Sequence, residues 1–81
     1  MPTKNELFEL VLEHVRTVLP DLATVAVQPS DSLRDLGANS MDRAEIVMGV
    51  MDALSLSIPR VELFGPKNLG KLVDLLHAKA G

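Results

Sequence analysis

The sequence predicts an all-α fold, a small four-helix bundle with three main helices, a short third helix and a long first loop. The 81 residues give room for one small domain spanning 1–81, and 47% of them are hydrophobic. Only Phe8 and Phe64 are aromatic, so the core must be built from aliphatic side chains. Those side chains recur at helical spacing in segments that proline and glycine separate.

The first helix is predicted to begin just after Thr3 and to end before Pro20. Thr3 and Glu6 have the spacing of a capping box, in which each side chain binds the backbone N–H of the other residue. Apolar residues then recur every three or four positions as far as the proline, which cannot continue a helix. This pattern predicts a helix of about fifteen residues, roughly 22 Å long.

A long connection, residues 21–39, follows the first helix. Loops of this length without structure of their own are usually functional. We expect residues 31–36 to form one helical turn and five apolar side chains to anchor the loop to the core. These five are Leu22, Val25, Val27, Leu33 and Leu36.

The second helix is predicted over Ser40–Leu54, with Asn39 as its N-cap. A helical wheel divides it into a core face and an opposite face that we expect to meet water. The core face carries Ile46, Val47, Val50 and Leu54. The opposite face carries Asp42, Glu45, Gly49 and Asp52, with Met41 and Met48 at its edge.

Two further helices complete the predicted bundle. Pro59 opens a short third helix that runs through Phe64 and ends at the Gly-Pro pair 65–66. Asn68 caps a last helix over Leu69–Ala80.

Composition excludes several classes of function. The chain has no Cys and only two His, so we expect no disulfide and no metal site. A net charge of −3 without a Lys/Arg cluster argues against nucleic-acid binding, including a helix-turn-helix DNA binder. No apolar run is long enough to span a bilayer and no secretory signal precedes the first helix, so we expect a cytoplasmic protein without a membrane partner. His14 and His77 lack a paired nucleophile, so we expect no catalytic residue.

Two features of the second helix each support two interpretations. Ser40 is either a simple capping residue or the carrier of an anionic group, because the free N–H groups and the dipole of a helix N-terminus favour a phosphate. The acidic face either solvates an amphipathic helix or binds a basic partner, to which flexible Met side chains can adapt.

The segment 31–41, DSLRDLGANSM, resembles the attachment segment of acyl carrier proteins, in which a leucine–glycine pair leads into an Asp-Ser-Leu triplet. The resemblance covers nearly the whole chain, including Ile58 and Pro59 before the short helix. It implies that Ser40 carries a 4′-phosphopantetheine, attached covalently from coenzyme A by a phosphopantetheinyl transferase, whose thiol holds acyl groups while the carrier performs no catalysis. It also implies a recognition surface for partner enzymes, here called the partner face: Met41, Asp42, Glu45, Met48 and Asp52.

The chain departs from the common pattern beside the serine, where Asn39 replaces an aspartate and Met41 a leucine. The run 37–46 looks more like the stand-alone carriers of polyketide β-branching, which resemble donors that present an acetyl group, made by decarboxylating a malonyl thioester. This resemblance implies a monomer that works with an acyltransferase, a decarboxylating ketosynthase-like enzyme and a 3-hydroxy-3-methylglutaryl (HMG) synthase-like enzyme. Arg43 is then expected to pair with a loop carboxylate such as Asp35, or to contact that synthase.

Two alternatives stay open at this point. The first is a fatty-acid or aminoacyl carrier, which has the same arm and a different cargo. The second is a helical interaction module that is never modified, in which Ser40 only caps a helix.

Overall fold

A computed structural model describes residues 2–63 and 65–80, and in these ranges the chain forms four α-helices and no strand. The helices are α1 (Lys4–Val18), α2 (Ser40–Leu54), α3 (Arg60–Leu63) and α4 (Leu69–Ala80). The predicted all-α class is confirmed. None of the described helices is both long and apolar enough to cross a membrane.

Helix α1 begins with the predicted capping box. Thr3 Oγ1 accepts a hydrogen bond from the Glu6 N–H (3.1 Å), and Glu6 Oε1 accepts one from the Thr3 N–H (2.9 Å). The hydrogen bonds with Thr3 stabilise the charged carboxylate and hold the pKa of Glu6 below its ordinary value. Helix α1 ends at Val18, and a 3₁₀ turn over Pro20–Leu22, which the sequence did not predict, follows it.

The later helices also begin where the sequence predicts. Asn68 Oδ1 accepts a hydrogen bond from the Lys71 N–H (2.8 Å), which caps α4. Helix α3 begins directly after Pro59, whose carbonyl accepts the Glu62 N–H (3.0 Å). Phe64, where the sequence predicted α3 to end, lies outside the described residues.

The core is aliphatic, as predicted, and α1 packs against both α2 and α4. No polar or charged residue is buried in the described part of the chain. The most deeply buried side chains come from these three helices: Leu7, Val11, Val15, Ile46, Val50, Leu69 and Leu76. Leu54 was predicted to lie on the core face of α2. It is the last residue of that helix, and it is only half-buried where it packs against the core.

The long loop is tied to the start of α4. The Leu69 N–H donates to the Asp31 carbonyl (2.9 Å) and the Gly70 N–H donates to the Pro29 carbonyl (2.8 Å). These loop carbonyls satisfy first-turn amides that have no partner inside their own helix. The loop therefore holds the segment before α2 in a fixed place relative to α4.

Two expectations about this loop are wrong in part. Val27 is buried, and Leu22, Leu33 and Leu36 pack partly buried against the core, but Val25 is 42% exposed. Residues 33–37 form hydrogen-bonded turns in place of the predicted helical turn at 31–36, although one bond, from the Leu36 N–H to the Ser32 carbonyl (3.1 Å), has helical spacing. Gly37 then ends the turn.

Candidate functional site at the start of helix α2

The backbone turns sharply just before α2. Gly37 has a φ of +95°, a conformation that glycine adopts readily and side-chain-bearing residues rarely do. The Ala38 N–H donates to the Leu33 carbonyl (3.0 Å), and the Ala38 side chain is buried. This arrangement fixes the point at which α2 begins.

A second capping box starts α2. Asn39 Oδ1 accepts from the Asp42 N–H (2.8 Å), and Asp42 Oδ2 accepts from the Asn39 N–H (3.3 Å). The sequence predicted the Asn39 cap but not the reciprocal bond, although the N-x-x-D spacing signals it. Asp42 is half-buried, and its Oδ2 already accepts one hydrogen bond from the start of its own helix.

Ser40 is the first residue of α2 and is exposed. Arg43 Nη2 donates a hydrogen bond to Ser40 Oγ (3.3 Å). Of the two expectations for Arg43, pairing with a loop carboxylate such as Asp35 is wrong, because the guanidinium reaches its helical neighbour three residues away instead. Contact with the synthase stays a prediction. The contact with Ser40 was not predicted from the sequence, although the i, i+3 spacing could have indicated it.

A pocket of about 530 Å³ lies beside Ser40, between α2 and α4. Helix α1 packs against both of these helices, and among the described residues the space between α2 and α4 is lined by loop residues and by Leu63 of α3 as well. Its apolar lining consists of Leu33, Ala44, Val47, Leu63, Pro66, Leu69 and Leu72. Its polar lining consists of Ser32, Arg34, Ser40, Arg43, Lys67 and Asn68.

The partner face lies on the other side of α2. Met41 and Met48 are 76% and 48% exposed, and Glu45 and Asp52 are exposed as well. A shallow depression of about 440 Å³, which includes Met48 and Asp52, continues this surface towards Leu56. Four of the five predicted residues are therefore accessible, and the fifth, Asp42, is half-buried.

Gly49 does not face water as predicted. A Cβ atom built on Gly49 would lie 2.5 Å from Cδ2 of His14, so the imidazole of α1 packs directly on the α2 backbone here. His14 Nδ1 donates to the Leu10 carbonyl (3.0 Å) and has a packing role in this position. Among the described residues, no group of three or more His, Cys, Asp or Glu could hold a metal ion.

Comparison with known proteins identifies the family. The family model described as "Phosphopantetheine attachment site" matches residues 9–76, which include Ser40 and the whole of α2. The chain belongs to this family of acyl carrier proteins. It is 46% identical over 76 residues to the polyketide biosynthesis acyl-carrier-protein AcpK of Bacillus subtilis (strain 168), covering 94% of this chain and 93% of that protein.

Two further relatives agree with this assignment. The acyl carrier protein of Prochlorococcus marinus (strain MIT 9515) is 30% identical over 77 residues, covering 90% of this chain and 96% of that protein. A chain in the crystal structure of the curacin biosynthetic pathway HMG synthase in complex with acetyl donor-ACP superimposes with a TM-score of 0.91 at 45% identity. That match covers 96% of this chain and 100% of the other.

As an acyl carrier protein, the chain carries acyl groups on a 4′-phosphopantetheine and is not itself an enzyme. The residues at the start of α2 fit this group. The Ser40 hydroxyl is exposed, it lies at a helix N-terminus, and the Arg43 guanidinium is within hydrogen-bond distance of it. When attached, the group supplies the thiol that this Cys-free chain lacks.

Proposed function

We propose that Ser40 is the residue that carries the 4′-phosphopantetheine. The observation that supports this most directly is its exposed hydroxyl at the first position of α2, held by the Asn39 cap and by the turn at Gly37. A phosphodiester formed there lies at the positive end of the helix dipole, which stabilises its negative charge. The hydroxyl is also open to a transferase, which must bring coenzyme A to it.

Intact-mass measurement tests the attachment site. Wild-type protein incubated with coenzyme A, Mg²⁺ and a broad-specificity phosphopantetheinyl transferase should gain one phosphopantetheine, and Ser40→Ala should gain none. Ser32→Ala is the matched control, since Ser32 lines the same pocket and should be dispensable for labelling. Helical circular dichroism should be retained in Ser40→Ala, because Asn39 supplies the cap. Labelling of Ser40→Ala, or loss of labelling in Ser32→Ala, would assign the group to another residue.

We further propose that the carrier is an acetyl donor in polyketide β-branching and serves an HMG synthase-like enzyme. The support is the superposition on an acetyl donor-ACP over 96% of the chain and the 46% identity to a polyketide carrier. On this proposal an acyltransferase loads malonyl, a decarboxylating ketosynthase-like enzyme converts it to acetyl, and the synthase accepts the acetyl group. One carrier domain over 1–81, the monomeric state and the cytoplasmic location stay predictions.

Transfer assays separate this cargo from the alternatives. Acetyl-loaded protein mixed with an HMG synthase of a β-branching cassette should lose its acetyl group to the enzyme. Mass spectrometry of both proteins measures this transfer. A fatty-acid carrier would instead support chain elongation by a fatty-acid ketosynthase, and an aminoacyl carrier would be loaded by an adenylating ligase. If the protein supports chain elongation or is loaded by an adenylating ligase, and transfers no acetyl group to the synthase, it is a fatty-acid or an aminoacyl carrier and not an acetyl donor. Absence of any labelling would leave the unmodified interaction module.

We propose that partner enzymes bind the partner face through charge and through methionine contact. Glu45 and Asp52 are exposed on α2, and the chain has a net charge of −3. Partners should therefore present Arg or Lys, and association should weaken as salt rises, because exposed charges are screened over about 8–10 Å at 0.10–0.15 M. Met48, at 48% exposure, adds apolar contact.

A pair of double charge reversals tests this surface. Glu45→Lys with Asp52→Lys should slow acetyl transfer and flatten its salt dependence. Glu9→Lys with Glu13→Lys is the control, since it changes the net charge equally at exposed positions of α1. Met48→Ala should raise the dissociation rate of the complex and leave the salt dependence intact. Equal transfer by both double reversals would move the docking surface off α2.

A further inference from the structure

Arg43 has hydrogen-bonding capacity that the described residues do not use. The residue is half-buried, its Nη2 donates to Ser40 Oγ (3.3 Å), and its Nε is buried without a hydrogen-bond partner in the described part of the chain. Buried donors of this kind are normally paired, since leaving one unpaired is destabilising. The guanidinium is thus anchored beside the serine with donors left for a further acceptor.

The pocket next to Ser40 has the electrostatics of an anion site. Arg34, Arg43 and Lys67 line it, and none of the described lining residues is acidic. Its remaining walls are mainly apolar, and Val47 and Leu72 line it from α2 and α4 respectively. The two sides of α2 therefore differ in charge, with carboxylates on the partner face and cations on the pocket side.

We propose that Arg43 is a positioning residue that binds the phosphodiester formed at Ser40 and holds the adjoining part of the arm in the pocket between α2 and α4. This inference rests on the proposed attachment at Ser40. A planar guanidinium that already contacts Ser40 Oγ can bind a phosphate bonded to that oxygen through two N–H groups. Arg34 and Lys67 add positive potential, and the apolar walls accept the two methyl groups of the pantoate unit.

Nuclear magnetic resonance of the modified protein tests this role with four proteins: wild type, Arg43→Gln, Arg43→Lys and Arg16→Gln. Gln keeps a polar side chain without the charge, and Lys keeps the charge without the planar fork. Arg16→Gln is the matched control, because Arg16 on α1 also has a buried, unpartnered Nε in the described part of the chain and does not line the pocket. Intact mass first establishes that each protein is modified.

The readouts are the Arg43 Nε–H resonance and the Overhauser contacts between the pantoate methyls and the methyls of Val47 and Leu72. In wild type, modification should shift the Nε–H resonance and produce those contacts. Arg43→Gln should lower the ratio of docked to free arm about tenfold, the effect of losing one charge-assisted interaction. Arg43→Lys should give a ratio of docked to free arm between those of wild type and Arg43→Gln. Arg16→Gln should give the wild-type ratio.

Each outcome decides a separate point. Modified wild type and Arg43→Gln with equal methyl contacts would overturn the role of Arg43 while leaving Ser40 as the attachment site. Wild type that is never modified would overturn the proposed attachment itself. If Arg43→Gln does not fold, the wild-type Nε–H resonance still decides, because an unchanged resonance on modification contradicts phosphate binding.

Discussion

Replacing Gly49 by Ala tests a close helix–helix contact of the fold. The added Cβ would lie 2.5 Å from His14 Cδ2 and 3.1 Å from His14 Nε2, well inside the roughly 3.5–4.0 Å at which carbon atoms attract. The imidazole must therefore move, or α1 and α2 must separate. Because His14 Nδ1 donates to the Leu10 carbonyl, moving the ring also breaks a hydrogen bond.

The expected change in the free energy of unfolding combines one stabilising effect with two destabilising ones. Alanine is favoured over glycine inside a helix by about 1 kcal/mol, which would stabilise the variant. Overpacking costs about 1–3 kcal/mol and loss of the hydrogen bond about 0.5–1.5 kcal/mol. We expect Gly49→Ala to lower the free energy of unfolding by about 0.5–3.5 kcal/mol, and each kcal/mol corresponds to a fall in Tm of roughly 4–8 °C for a domain of this size.

A double-mutant cycle with His14→Ala isolates the contact. Urea unfolding of the four proteins gives the effect of Gly49→Ala with and without the imidazole. Without it, the same substitution should stabilise the protein by about 1 kcal/mol, so the sign reverses. If Gly49→Ala stabilises both backgrounds equally, the tight packing of the His14 imidazole on this part of α2 is refuted.

Three further predictions concern the caps and the core. Asn39→Ala should lower the free energy of unfolding, measured by thermal unfolding, by about 1 kcal/mol. Asn39→Asp should lower it much less, since an aspartate side chain can also cap α2. Ile46→Ala should lower the free energy of unfolding in urea by about 2–5 kcal/mol, because Ile46 is fully buried. Leu54→Ala should lower it by about 1–2 kcal/mol, because Leu54 is half-buried, and equal losses would show a different rotation of α2. The lowered pKa of Glu6 means that its stabilisation is present above the unfolded-state pKa and lost as pH falls through the folded-state value. Glu6→Gln should therefore reduce the acid-side slope of stability against pH, and a profile parallel to wild type would contradict this.

The helix starts were predictable because their causes are local. Each of the caps at Thr3, Asn39 and Asn68 joins residues three apart, so the sequence carries the whole interaction. The position of Ser40 at the beginning of α2 follows directly from the Asn39 cap. The attachment role of Ser40 was predicted from the resemblance to a family, and it stays a prediction. The membership of the chain in that family is confirmed by the match over residues 9–76.

The sequence alone was enough to predict where the helices lie and which residues share a helix face. Which residues each face contacts depends on the tertiary structure. A helical wheel places Gly49 opposite the core but cannot show that the His14 ring of α1 reaches it. The same limit applies to Arg43, whose guanidinium binds Ser40 rather than Asp35, and to Val25, which the loop leaves exposed. Periodicity depends on a residue's own helix, but contacts and pockets depend on the distance between helices, which the packing of α1 against both α2 and α4 sets.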